Sequence, residues 1–237
     1  MIWLLTLALA DPLPAQRGEL LALSEDFPPC TNTHATSRAP FPAARASSSL
    51  AEGDLTHGAE RAIDGDMATA WVEGVEGPGH GETLRVKLTQ EGAMPNGLWI
   101  VPGYAKDAGR WGKNRRVQTL EVRFLKAKEG ADPGKAWADS AMVPTSTEPL
   151  RVQLAAEDGR VPMEGQAIPL SPHFHQNMEV TEVVALELVI VSTDGHGATH
   201  DDTCISEVAQ ITAGDVRSRT CAEGWCNGPG AGTDGCP

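Results

Sequence analysis

From about residue 46 the chain is a series of short apolar or alternating runs separated by Gly, Pro and Asp. The runs are TLRVKLT (83–89), GLWIVPGY (97–104), VQTLEVRFL (117–125), LRVQLA (150–155), VTEVVALELVIVS (180–192) and VAQIT (208–212). In LRVKL and LEVRF apolar and charged residues alternate, which puts every second side chain on one face of an extended strand. Few stretches hold a 3.6-residue period, and 25 Gly with 17 Pro supply turn residues throughout. An all-β chain follows, most economically a sandwich of antiparallel sheets with long functional loops at its ends. Residues 11–45, rich in Pro, Ala, Ser and Thr, read as linker. Residues 126–148 read as a polar insertion between strands.

Charge and cysteine usage narrow the setting. A net charge of −13, from 32 acidic against 19 basic residues, argues against nucleic acid as a partner, because such a partner needs a basic face to displace counterions. Residues 1–10 read as a signal peptide: Ile2 to Ala10 is a short apolar segment, and Ala8-Leu9-Ala10 has the small-x-small form of a cleavage site. No Lys or Arg precedes it, so the true start is expected further upstream; the alternative to a signal is a buried N-terminal strand or a frayed end. No stretch reaches the ~20 apolar residues of a membrane-spanning helix. A secreted or periplasmic product without a membrane span is expected.

Cys221, Cys226 and Cys236 crowd a Gly-rich tail over residues 214–237 that is too poor in apolar residues to form a core, so disulfides are its expected staple. Three cysteines without a histidine fall short of a closed zinc site. Five cysteines leave one over. Cys30 with Cys204 plus one tail pair is the expected arrangement, although spacing alone leaves connectivity open.

Catalytic signatures are sparse. The chain has no G-x-S-x-G elbow, no phosphate-cradling G-x-x-x-x-G-K-[ST] and no dinucleotide fingerprint. His196 and His200 flank a Gly-containing triplet, and His173 and His175 lie in SPHFH; both pairs read as exposed loop histidines. The stretch ERAIDGDMATAWVEGVEG (60–77) is richer. Asp64 and Asp66 flank a Gly, and Thr69 adds an oxygen, a pattern that suits a calcium loop but equally a solvated turn.

At RAIDGDMATAW (61–71) the sequence resembles the discoidin (coagulation-factor type C) domains and galactose-binding-like carbohydrate modules, with CISEV (204–208) as the closing element. The ordered set DGDMATAWVEGVEGPGHGETLRVKL, GLWIVPGYAKDAGRWGKNRRVQTLEVRF and DDTCISEVAQI is closest to the NAD-glycohydrolase translocation-type (glycan-binding) domain, over roughly residues 46–213. This resemblance implies a jelly-roll β-sandwich with an irregular Cys-rich tail, in a bacterial setting. It implies a structural calcium ligated by the Arg61 carbonyl, Asp64, Asp66, Thr69, the Ser206 carbonyl and Glu207. Such an ion would tie positions roughly 140 residues apart. Trp71 is then expected to pack in the core or at the loop base, while Glu73 and Glu76 face solvent. NAD cleavage does not transfer, because residues 214–237 cannot hold a catalytic domain, so no enzyme is expected. A non-catalytic module that binds a glycan or another envelope component is expected, with a structural or protein-interaction module as the alternative and a hydrolase more remote. Sugar modules combine stacking aromatics with polar side chains. Loop 103–116 offers Tyr104, Trp111, Asn114 and Arg115 for that purpose, and Arg116 reads as a residue that holds the loop together.

Overall fold

The computed structural model describes residues 16–17, 38–138, 140–156, 158–170 and 182–211. The signal-like start, Cys30, His173, His175 and the Cys-rich tail lie outside the described residues. In chain order the strands are β1 (Gln16–Arg17), β2 (Arg38–Pro40), β3 (Ala44–Ala46), β4 (Ala51–Glu52), β5 (Leu55–Thr56), β6 (Trp71–Val72), β7 (Thr83–Lys87) and β8 (Gly97–Val101). They continue with β9 (Arg115–Ala127), β10 (Met142–Pro144), β11 (Leu150–Gln153), β12 (Gln166–Pro169), β13 (Val183–Asp194), β14 (Thr203–Ile205) and β15 (Glu207–Ile211). Two short helices interrupt them, α1 (Ala108–Lys113) and α2 (Pro133–Ala136), together with a 3-10 turn at Ala59–Ala62.

The strands form a jelly-roll β-sandwich. The larger sheet runs β1-β11-β9-β13-β7-β3, with β10 also on β9 and β14 joining β9 to β6; the smaller runs β12-β8-β15-β2. The spine of the larger sheet is the antiparallel pair β9 and β13, which runs from Val183 opposite Lys126 to Asp194 opposite Arg116 with register shifts after Val183, Ile190 and Ser192. The alternation in LRVKL is realised in β7: Leu84 and Val86 are buried while Thr83, Arg85 and Lys87 are half-buried. Leu120, Val122 and Phe124 of β9 and Leu186, Leu188 and Ile190 of β13 join them in one core, against Leu98, Ile100, Ile168 and Val208 of the smaller sheet. Each fully buried side chain of this kind contributes about 1.5–3 kcal/mol relative to exposure. The one acid in the apolar run of β13, Glu187, is matched by Arg85 at 2.8 Å and Arg123 at 3.4 Å.

Several elements depart from the sequence reading. β2 and β3 place the start of the sandwich within the stretch expected to be linker, because even RAP and ARA can hydrogen-bond as edge strands against β15 and β7. The polar insertion contains α2 and β10, and Ala136, Trp137 and Met142 pack with Leu125 and Ala185 in a second small core. The expected loop 103–116 contains α1. Among the described residues Cys204 is a free, fully buried thiol in β14; its expected partner, Cys30, lies outside them. Burial pushes this thiol well above its ordinary range.

Candidate functional site

Two neighbourhoods gather the chemistry-bearing residues. The first is the acidic loop. After the 3-10 turn, Gly65 takes a left-handed φ of 77°, which a residue with Cβ rarely adopts. Asp64 Oδ1 accepts from Asp66 N at 2.9 Å, and Asp66 Oδ1 accepts from Ala68 N at 2.8 Å. Thr69 Oγ1 lies 2.7 Å from Asp64 Oδ2, 3.0 Å from the Asp66 carbonyl and 3.2 Å from the Arg61 carbonyl. One hydroxyl proton serves only one of these three acceptors at a time. The cluster is thus rich in oxygen acceptors.

Glu207, at the start of β15, closes the cage from the far end of the chain: its Oε2 accepts from Gly65 N at 2.9 Å. It is only 4% exposed, and burial, helped by the Asp64 charge, pushes its carboxyl from 4.5 to about 7. Ser206 is buried alongside, its N–H shared between the Val101 and Gly103 carbonyls and its hydroxyl accepting from Ala105 N. Among the described residues no group of three His, Cys, Asp or Glu side chains is arranged to hold a metal. The Asp66 carboxylate turns to Ala68 instead, so a cation here would rely on backbone carbonyls and Thr69 as much as on carboxylates. Oxygen donors of that mixed kind suit a hard cation such as calcium.

The acids further along behave differently. Glu73, expected to face solvent, is fully buried and accepts from Val75 N at 2.9 Å and Thr203 N at 3.1 Å. It pins the turn after β6 to β14, and burial raises its carboxyl above the ordinary range. Glu76 is exposed. Trp71 is fully buried in the core, its indole N–H donating to the Ser48 carbonyl at 2.9 Å.

The second neighbourhood is a cleft of about 440 Å³. One wall is the hairpin β4–β5, turned at Gly53 with φ 61°; another is α1; the third is the segment His200 to Asp202. Leu50, Val72 and Tyr104 form its floor, with Leu55 half-exposed on the hairpin above. His57 stands beside Tyr104, ring centroids 6.2 Å apart and nearly perpendicular. Its side chain is 6% exposed, with Nε2 3.5 Å from the Glu52 carboxylate. Its Nδ1 has no hydrogen-bond partner among the described residues. A buried polar atom left in that state costs about 1–3 kcal/mol.

Helix α1 is built to show one face to the cleft. Asp107 caps it, accepting from Arg110 N at 2.7 Å and pairing with the Arg110 guanidinium at 2.7 Å. Those hydrogen bonds hold the Asp107 carboxyl below its usual range. Asn114 closes the helix, its amide donating to the Arg110 carbonyl at 2.9 Å.

Of the four residues expected to bind ligand, Tyr104 and Asn114 line the cleft, whereas Trp111 and Arg115 do not. The Trp111 ring packs so closely over Gly103 that a Cβ there would come within 2.5 Å of it. Arg115 pairs with Asp201 at 2.9 Å. Arg116 is buried against Asp194 at 3.1 Å and donates to the carbonyls of Trp111 and His196, each at 2.7 Å. His196 and His200 are exposed, and His200 lies on the cleft wall.

Sequence reasoning missed His57, Lys106, Arg110 and Lys113 as cleft residues. Arg110 and Lys113 have the i, i+3 spacing of one helical face, a signal masked by Gly109 and Gly112, and Lys106 precedes the Asp107 cap. His57 carries no local signal, because its neighbour Tyr104 is 47 positions away.

The sandwich, the closing strand β15 and the loop-built cleft define a discoidin-type, galactose-binding-like module. The chain belongs to the NAD glycohydrolase translocation F5/8 type C domain family, whose model matches residues 38–211.

Among solved structures it is similar to the CBM32-1 and CBM32-2 domains of Clostridium perfringens ZmpB, at 10% identity and a TM-score of 0.45 over 74% of this chain and 36% of that one. It is similar to a mycobacterial arabinofuranosyltransferase AftD, at 18% identity and a TM-score of 0.43 over 74% of this chain and 12% of that one. It is also similar to CpGH89CBM32-5 of Clostridium perfringens, solved with GalNAc-β-1,3-galactose, at 15% identity and a TM-score of 0.46 over 73% of this chain and 100% of that one. The chain thus spans about a third or less of the first two of these structures. No curated protein matches. No helix among the described residues is long and apolar enough to cross a membrane.

Proposed function

We propose that this is an exported, non-catalytic glycan-binding module whose ligand sits in the cleft between α1 and the β4–β5 hairpin, on a sandwich braced by calcium. The observation that carries the reading is the cleft floor. An aromatic ring, Tyr104, lies beside a buried imidazole, His57, whose Nδ1 lacks a partner. A sugar presents an apolar face to the ring and hydroxyls that can pair with the polar side chains of the walls, such as Asn114 and His200. Calcium is the proposed occupant of the Arg61, Asp64, Asp66, Thr69, Ser206 and Glu207 cage. The crowded oxygens around Thr69 and the buried carboxyl of Glu207 support it. The apolar segment Ile2 to Ala10 supports export.

Two measurements test the reading. Full-length protein on a glycan array should show binding that Tyr104→Ala abolishes while the variant keeps its melting temperature. Binding that survives Tyr104→Ala would move the site elsewhere, and no glycan binding beside a co-purifying protein would favour the interaction-module alternative. Chelation should lower the melting temperature of the wild type and leave Asp64→Ala unaffected.

A further inference from the structure

We propose that the cleft selects glycans carrying an anionic substituent, a carboxylate or a sulfate, held by Lys106 and Lys113 above the floor of His57 and Tyr104. This rests on the glycan reading and adds the class of sugar. The chain carries 32 acidic against 19 basic residues, so a lysine on its surface meets acids more easily than bases. Yet Lys106 and Lys113, both exposed and both on the cleft wall, form no ion pair among the described residues. Helix α1 turns Arg110 to the same cleft and its Trp111 back onto Gly103, so its cations share one face.

The carboxylates of the cleft do not cancel them. Asp107 is engaged by the Arg110 amide and guanidinium, both at 2.7 Å. Glu52 leans to His57 at 3.5 Å. Asp202 lines the cleft next to β14, and its charge adds to the burial that raises the Glu73 carboxyl. Two ammonium groups at the mouth therefore remain for a ligand. His57 and Tyr104 line the same cleft as the two lysines, so an aromatic ring and unpaired cations face one space. An ammonium is a point charge with rotatable donors, so it serves a carboxylate and a sulfate equally well.

The test is calorimetric titration of the full chain with galactose, galacturonic acid and galactose 6-sulfate, at low and at high salt. An exposed lysine contact is worth a few-fold in affinity, so the two together should favour the charged sugars by roughly fivefold to tenfold at low salt. Screening at 1 M salt should erase most of that preference, because the Debye length falls from about 10 Å at 0.1 M to about 3 Å. In the Lys106→Ala/Lys113→Ala double variant the ratio of charged to neutral affinity should fall to about one. A preference for only one of the two charged sugars would identify which anion the cleft takes and would still support the proposal. Equal affinity for charged and neutral sugars would overturn the inference and leave the glycan reading standing, as would a preference that survives the double substitution. Binding of none of the three would remove both.

Discussion

Glu207 makes the cage measurable. Its carboxyl is raised from 4.5 in an unfolded chain to about 7 in the fold, first by burial and then by the Asp64 charge. Between those values the unfolded chain holds fewer protons than the native protein, so native stability falls as pH rises through this window and levels off above 7. At about 1.4 kcal/mol for each tenfold change in proton affinity, the loss from Glu207 is at most about 3.5 kcal/mol. The proposed calcium would act in the opposite sense. A bound cation favours the ionised carboxylate, and saturation at a hundredfold excess over Kd adds about 2.7 kcal/mol. Urea titrations of wild type and Glu207→Gln should be run at pH 5 and pH 8, each with chelator and with calcium. With chelator, the wild type should lose up to about 3 kcal/mol more than the glutamine variant between the two pH values. With calcium, the wild type should regain stability, more at pH 8 than at pH 5. Using the variant as reference matters because Glu73 is also raised and titrates in the same direction. Equal pH dependence in the two proteins, with no response to calcium, would refute the reasoning.

Other outcomes follow from the same geometry. Arg116→Met should cost about 3–5 kcal/mol in urea unfolding, because it leaves Asp194 buried without its partner. A milder loss in the double variant with Asp194→Asn would confirm the coupling. Glu73→Ala strips acceptors from two backbone N–H groups and should cost about 2–4 kcal/mol, read as a lowered denaturation midpoint. Native Cys204 should resist thiol-labelling reagents until the protein is unfolded, since it is both fully buried and held protonated.

What could be read in the chain followed the range of the interactions. LRVKL betrays β7 because its two faces differ within five residues, and LEVRF does the same for β9. β13 is buried along most of its length, so only a run of apolar residues announces it, interrupted by a Glu187 whose arginines come from other strands. Glu73 looked like one more solvated acid, because one of its two partners, Thr203 N, lies 130 positions away. Trp111 looked like a stacking platform because aromatic residues in loops often are. The chain makes it part of a helix and turns it onto Gly103. Tyr104 and Asn114 were legible as residue types, whereas His57 became visible only when the hairpin folded over them.

The stretch from His200 to Ile211 supplies a cleft wall, the β14 clamp on β6 and β9, the closing residue of the cage and a central strand of the smaller sheet. In a growing polypeptide the hairpin, α1 and the acidic loop are all made long before this segment is synthesised. A nascent chain therefore holds neither a finished cleft nor a closed cage, and both arise together in a single late event of biosynthesis.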